Sequence, residues 1–100
     1  MIHIENKWKP AESIDDVRKE LRNAIFWTNF QVSAAEVNNN ESRIELCRQG
    51  ASSFAEFGVR AGLIPIDEGN DWLDAIWGRK TPAEVALKYL KDVPNVEDYC

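Results

Sequence analysis

Histidine and cysteine, which most nucleophilic catalytic sites require, are scarce in this sequence. His3 is the only histidine among 100 residues, and the two cysteines are Cys47 and Cys100. Ser-His-Asp and Cys-His sites need a histidine within hydrogen-bond reach of the nucleophile. His3 lies on a predicted N-terminal arm and Cys47 on the apolar face of a predicted helix, so the sequence predicts neither kind of site. We therefore expect a protein that is not an enzyme.

Carboxylates are plentiful, but their spacing does not predict a metal or cofactor site. Glu41 and Glu45 stand one turn apart on a predicted helix, where charged residues usually form weak surface ion pairs. The stretch that begins at Asp67 looks like the start of a calcium loop. An EF-hand needs glycine at its sixth position and glutamate at its twelfth, and here those positions hold Trp72 and Gly78. No glycine-rich phosphate loop is present either, so no cofactor is expected.

The charge of the chain argues against direct binding of nucleic acid. The formal net charge is -5, from 12 basic and 17 acidic residues. Arg18, Lys19 and Arg22 cluster on the first predicted helix, but acidic residues are interleaved with them. A protein that holds phosphate backbones needs a basic stripe or patch. An acidic chain is better suited to a basic surface on another protein.

Residues 67–77, here called the acidic segment, combine acids with tryptophans and contain no basic residue. Aromatic side chains ringed by charge are typical of protein interfaces. The alternative is that both tryptophans seal one end of the core, because tryptophan is usually well buried. The candidate partner-binding residues are Asp67, Glu68, Asp71, Trp72, Asp74 and Trp77.

Helical periodicity and capping residues predict an all-α fold that begins with a long hairpin. Ser13, with Asp16 three residues later, is typical of a helix start, and apolar spacing continues a helix over about 13–38. Three asparagines then separate it from a second helix over about 41–61. That helix carries a narrow seam of apolar and small residues: Ile44, Cys47, Ala51, Phe54, Gly58 and Ala61.

Two short helices are predicted to complete a single domain over residues 1–100. Asn70 is expected to cap a helix over about 71–77. The sequence Thr81-Pro82-Ala83-Glu84 predicts a capping box at the start of a helix over about 82–92. Residues 1–12 are expected to form an extended arm, and residues 94–100 a polar tail.

A second apolar face on the first helix predicts self-association. Phe26, Trp27, Phe30 and Val37 lie beside the face that should contact the second helix. If the short helices left these side chains exposed, the patch would be larger than a monomer normally tolerates. A two-fold dimer would bury it. The competing expectation is a compact monomer in which the short helices cover everything.

These features together favour a non-enzymatic protein-binding module: an adaptor, inhibitor or antagonist that covers a basic surface of another macromolecule. One alternative is a structural or ligand-sequestering homo-oligomer with a pocket between subunits. Another is an enzyme whose site the sequence does not reveal. The sequence has neither a secretory signal nor an apolar run long enough to span a membrane. We accordingly expect a cytoplasmic protein without membrane contact.

Overall fold

The computed structural model describes residues 10–90, and four α-helices account for 78% of them. The helices are α1 (Ile14–Val37), α2 (Glu41–Arg60), α3 (Ile66–Ile76) and α4 (Pro82–Tyr89). No strand occurs within this part of the chain. The predicted all-α fold of two long helices followed by two short ones is therefore confirmed. Within residues 10–90, no helix is both long enough and apolar enough to cross a membrane.

The two long helices form an antiparallel hairpin. Ser13 begins α1, and its side chain accepts a hydrogen bond from the backbone N–H of Asp16 at 3.1 Å. Asn39 adopts a left-handed backbone conformation (φ 54°) at the turn, and the Asn40 side chain then caps α2. Asparagine tolerates that conformation better than most residues. The predicted hairpin and its turn are confirmed.

The buried face of α2 differs from the predicted seam. The observed buried residues are Cys47, Ala51, Ala55 and Gly58, whereas Phe54 and Ala61 are exposed. A straight helix repeats every 3.6 residues, so a buried face drifts away from a strict heptad seam. At Gly58 a side chain would have no room, because an added Cβ would lie 2.5 Å from Leu21 Cδ2.

Helix α3 begins at Ile66, five residues before the predicted start, so the prediction that Asn70 caps this helix was wrong. Pro65 precedes the first turn in an extended conformation, and its carbonyl oxygen accepts a hydrogen bond from the N–H of Gly69 at 3.0 Å. Gly69 looks like a loop residue in the sequence. In the fold it is a packing residue, because an added Cβ would lie 2.5 Å from Val59 Cγ2 on α2.

Helix α4 starts as the sequence predicts. Thr81 and Glu84 form both hydrogen bonds of the capping box, with Pro82 in the first turn. Gly78, at φ +83°, ends the preceding helix in a conformation that favours glycine. The predicted extension of this helix to residue 92, most of the arm and the polar tail lie outside the described residues.

One core joins all four helices. Ile25 and Phe26 of α1 share it with Ala51 and Ala55 of α2. The short helices contribute side chains that cover the outer side of the hairpin: Trp72, Ala75, Ile76, Val85 and Ala86. Burial of this apolar surface is the main stabilising term of the fold. The same arrangement leaves the opposite side of the hairpin, near Phe54, more open to solvent.

Candidate binding site

The structure places two of the predicted partner-binding residues inside the fold. Glu68 is 1% exposed, and its carboxylate accepts two hydrogen bonds from Arg22, at 2.7 and 2.8 Å. The indole N–H of Trp72, also buried, donates a third at 3.0 Å. The bond to Glu68 raises the pKa of Arg22 above its usual value. The prediction that Glu68 and Trp72 lie at a partner surface is therefore corrected, because they form a buried link between α1 and α3.

Asp71 is also engaged within the fold. Its carboxylate accepts hydrogen bonds from Lys80 at 2.6 Å, from Lys88 at 3.1 Å and from the hydroxyl of Tyr89. Hydrogen bonds from Lys80, Tyr89 and Lys88, in that order, hold the pKa of Asp71 well below its usual range. Three donors from α4 and the preceding turn thus join α3 to α4. This carboxylate is a structural link rather than a free charge.

Only the remaining residues of the acidic segment lie at the surface. Asp74 accepts a hydrogen bond from Arg79 at 2.8 Å, and Asp67 is exposed with no ion pair to any described residue. Trp77 is 41% exposed, and its indole N–H donates to Ser52 Oγ at 3.1 Å. Most charges of the segment are therefore neutralised within the chain. The ring of free acids around exposed tryptophans, one of the two readings of the sequence, does not form within the described residues.

The residues predicted to drive self-association divide into two groups. Phe26 and Trp27 are buried, with their rings edge to face at a centroid distance of 5.1 Å. Phe30 contacts Trp27 but is 50% exposed, and Val37 is 82% exposed. The expectation that three aromatic side chains share one exposed patch is wrong, because two of them belong to the core. Self-association itself stays a prediction.

An apolar groove runs between α1 and α2 on the side of the hairpin opposite α3 and α4. We call it the hairpin groove; its volume is about 820 Å³. Phe54 and Phe57 on α2 are 41% and 59% exposed along it. The full lining is Val17, Glu20, Leu21, Ala24, Gly50, Ser53, Phe54, Phe57 and Leu63. Of these nine residues only one is charged, so the groove is a surface that water solvates poorly.

Residues of α2 indicate this groove in the sequence, although the heptad spacing of the predicted seam assigned one of them, Phe54, to the core. Phe54 fits the predicted seam of α2, and Phe57 follows three residues later, so the two phenylalanines share one face of the helix. The buried face consists instead of small residues such as Ala51, Ala55 and Gly58. The phenylalanine pair, together with the small residues Gly50 and Ser53, was the available indication of a second apolar surface.

Groups with catalytic or metal-binding potential do not gather elsewhere in residues 10–90. No three His, Cys, Asp or Glu side chains of that range approach closely enough to hold a metal ion. Cys47 is a buried free thiol, with Sγ at 3.9 Å from Gln31 Oε1. Comparison of this chain with known protein families, with curated proteins and with solved structures finds no match.

Proposed function

We propose that this chain is a non-enzymatic protein-binding module and that the hairpin groove receives an amphipathic helix of another protein. The observation that carries the proposal is the pair Phe54 and Phe57, which stay largely exposed beside an almost wholly apolar lining. Large aromatic side chains in a groove are typical anchors of a protein interface. Contiguous exposed apolar surface of this kind marks interaction sites in soluble proteins.

The shape of the groove favours a helix as its occupant. The hairpin is antiparallel, since Leu21 lies near Gly58 and Thr28 near Gly50. Between its two helices the lining includes Ala24, Gly50 and Ser53, which lack bulky side chains. Small residues allow helix axes to approach to about 8–10 Å. A third helix in this position would present apolar residues at helical spacing to Phe54 and Phe57.

Charge specifies the chemistry of that helix further. Glu20 lines the groove, and Asp16 stands one turn before it on the same helix. Asp16 is exposed and forms no ion pair with any described residue. The chain as a whole carries a net charge of -5. The partner helix is therefore one whose apolar face is flanked by lysine or arginine. Attraction between these opposite charges also increases the rate of association.

A display selection with helical peptides tests this proposal. The immobilised protein is challenged with a library of amphipathic helices, and enriched peptides are measured by fluorescence anisotropy. We expect peptides with an apolar face and basic flanks. Phe57→Asp should weaken their binding at least about tenfold, because it places a charge in an apolar contact. The matched control is Leu87→Asp on α4, since Leu87 is 64% exposed but lies outside the groove.

Two results would count against the proposal. Peptides that bind wild type, Phe57→Asp and Leu87→Asp equally do not use the groove. A dimer seen by light scattering and abolished by Phe57→Asp alone would show that a second copy of the chain occupies the groove, which favours the homo-oligomer alternative. Circular dichroism of both variants is recorded first, so that loss of binding is not confused with loss of fold.

A further inference from the structure

A second cleft, of about 380 Å³, lies between the C-terminal half of α1, the N-terminal half of α2 and the connection from α3 to α4. It is separate from the hairpin groove, and the inference drawn from it does not depend on the proposed function. Part of its lining is apolar, from Val32, Ile76 and Pro82. The polar part includes Asn29 and Arg48, and further charged residues also line it: Glu36, Arg79, Lys80 and Glu84. We call it the Asn29–Arg48 cleft.

Asn29 is an unusual residue in this cleft. It is 93% buried, being 7% exposed, yet its side chain forms no hydrogen bond with any described residue. Its carboxamide offers two donors and an acceptor. Neither of its carboxamide atoms is among the fully buried atoms that lack a hydrogen-bond partner, so the carboxamide is open to the cleft that Asn29 lines. A ligand in the cleft can therefore form hydrogen bonds with it.

Arg48 is the second polar group whose hydrogen bonds are not used. Its Nε is fully buried and has no hydrogen-bond partner among residues 10–90. The guanidinium carbon lies 5.7 Å from the centre of the Trp77 ring, within the range of a cation–π contact. Its nearest carboxylate is Glu36, at 3.7 Å from Nη2 to Oε1. That distance is an ion pair but is too long for a hydrogen bond.

We propose that the Asn29–Arg48 cleft binds an aliphatic carboxylate. The carboxylate group would accept hydrogen bonds from the two terminal nitrogens of the Arg48 guanidinium, because Nε is fully buried and the terminal pair also forms a fork that matches two carboxylate oxygens. A polar substituent next to the carboxylate would pair with the Asn29 carboxamide. The aliphatic chain would lie against Val32, Ile76 and Pro82. The volume of the cleft lies within the range of sites for small molecules.

Glu36 gives the proposal a distinctive test. Its side chain is 56% exposed and competes with a ligand for Arg48. Replacing Glu36 by glutamine removes that competition and the repulsion of an incoming carboxylate, so binding should become several-fold tighter. Replacing Arg48 by glutamine removes the donors, and binding should become at least about tenfold weaker. Damage to the fold would not produce these opposite effects.

The probe is 2-hydroxy-4-methylpentanoate, which combines a carboxylate, an adjacent hydroxyl and a branched chain. Titration followed by amide NMR shifts should give a saturable Kd of about 1 mM or tighter, with shifts at Asn29, Ser33 and Ile76. The neutral amide of the same acid should bind at least about tenfold more weakly. Arg48→Lys keeps the charge without the fork and should weaken binding partially. Arg43→Gln, which replaces an exposed arginine on the same helix, is the control and should change nothing.

Several outcomes would overturn the proposal. One is that Arg48→Gln and Arg43→Gln bind 2-hydroxy-4-methylpentanoate equally well. Others are that the acid and its amide bind with the same Kd, or that no saturable amide shift occurs at residues of the cleft. Inorganic phosphate binding as well as the acid would indicate a simple anion site and would also contradict it. An acetylated tripeptide ending in leucine distinguishes two sources of the same chemistry. Tighter binding of the tripeptide assigns the carboxylate to a polypeptide C-terminus, and tighter binding of the free acid assigns it to a small molecule.

Discussion

The buried ion pair between Arg22 and Glu68 allows the sharpest prediction about stability. In the variant Arg22→Met, Glu68 would keep only the hydrogen bond from Trp72 and would lose both bonds from the guanidinium. Removing one partner of a buried ion pair costs about 3–5 kcal/mol, since the other charge stays buried without compensation. That is a large part of the roughly 5–15 kcal/mol by which a domain is stable. The midpoint of thermal unfolding should fall by roughly 15–30 °C.

Urea unfolding followed by circular dichroism measures this cost. The control is the same substitution at a surface ion pair, Arg79→Met. The Arg79 side chain is 66% exposed, and its ion pair with Asp74 should contribute about 1 kcal/mol or less to stability. The double variant Arg22→Met/Glu68→Gln removes both charges and keeps an acceptor for the Trp72 indole N–H, so it should recover most of the lost stability. If Arg22→Met costs no more than Arg79→Met, or if the double variant is as unstable as the single one, the reasoning about this buried pair fails.

Three further predictions concern packing at two glycines and the pH dependence of stability. Gly50→Ala should raise the free energy of unfolding by up to about 1 kcal/mol through helix propensity, since its Cβ would meet Thr28 Cγ2 at an ordinary 3.5 Å. Gly58→Ala should lower it by about 1–3 kcal/mol through overpacking against the buried Leu21; a stable Gly58→Ala protein in the same urea titration would contradict the close packing. The folded pKa of Asp71 is lowered, so its contribution to stability is present above the usual aspartate pKa of about 4 and is lost as the pH falls below it. Acid unfolding curves should therefore show that wild type loses more stability than Asp71→Asn between about pH 5 and pH 2, and identical losses would contradict this role.

The local features of the fold could be predicted from the sequence. Ser13, Asn40 and the Thr81–Glu84 box cap their helices through contacts within three residues. Such contacts are encoded in adjacent positions of the chain. The start of α3 could not be predicted in the same way. Gly69 leaves room for α2 and α3 to approach closely at Val59, and that approach is a property of the tertiary fold.

The acidic segment shows why the candidate site was harder to predict than the fold. Glu68 pairs with Arg22, 46 residues away, and Asp71 with Lys88, 17 residues away. Composition alone makes the segment look like a charged surface, because partners at such separations are not visible in a local reading. Whether Phe54 or Ala55 is the buried residue of α2 likewise depends on where the short helices pack. Because Ala55 is buried, Phe54 stays exposed and lines the hairpin groove.

Chemical-shift mapping with a selected basic amphipathic peptide tests the central proposal most directly. The proposed site predicts that the largest amide shifts occur along the hairpin groove, at Ala24, Gly50, Ser53 and Phe57. It also predicts that Phe57→Asp abolishes these shifts while Leu87→Asp leaves them unchanged. Shifts centred instead on residues 67–77, or on Phe30 and Val37, would contradict the groove as the binding surface and would return the site to one of the surfaces expected from the sequence.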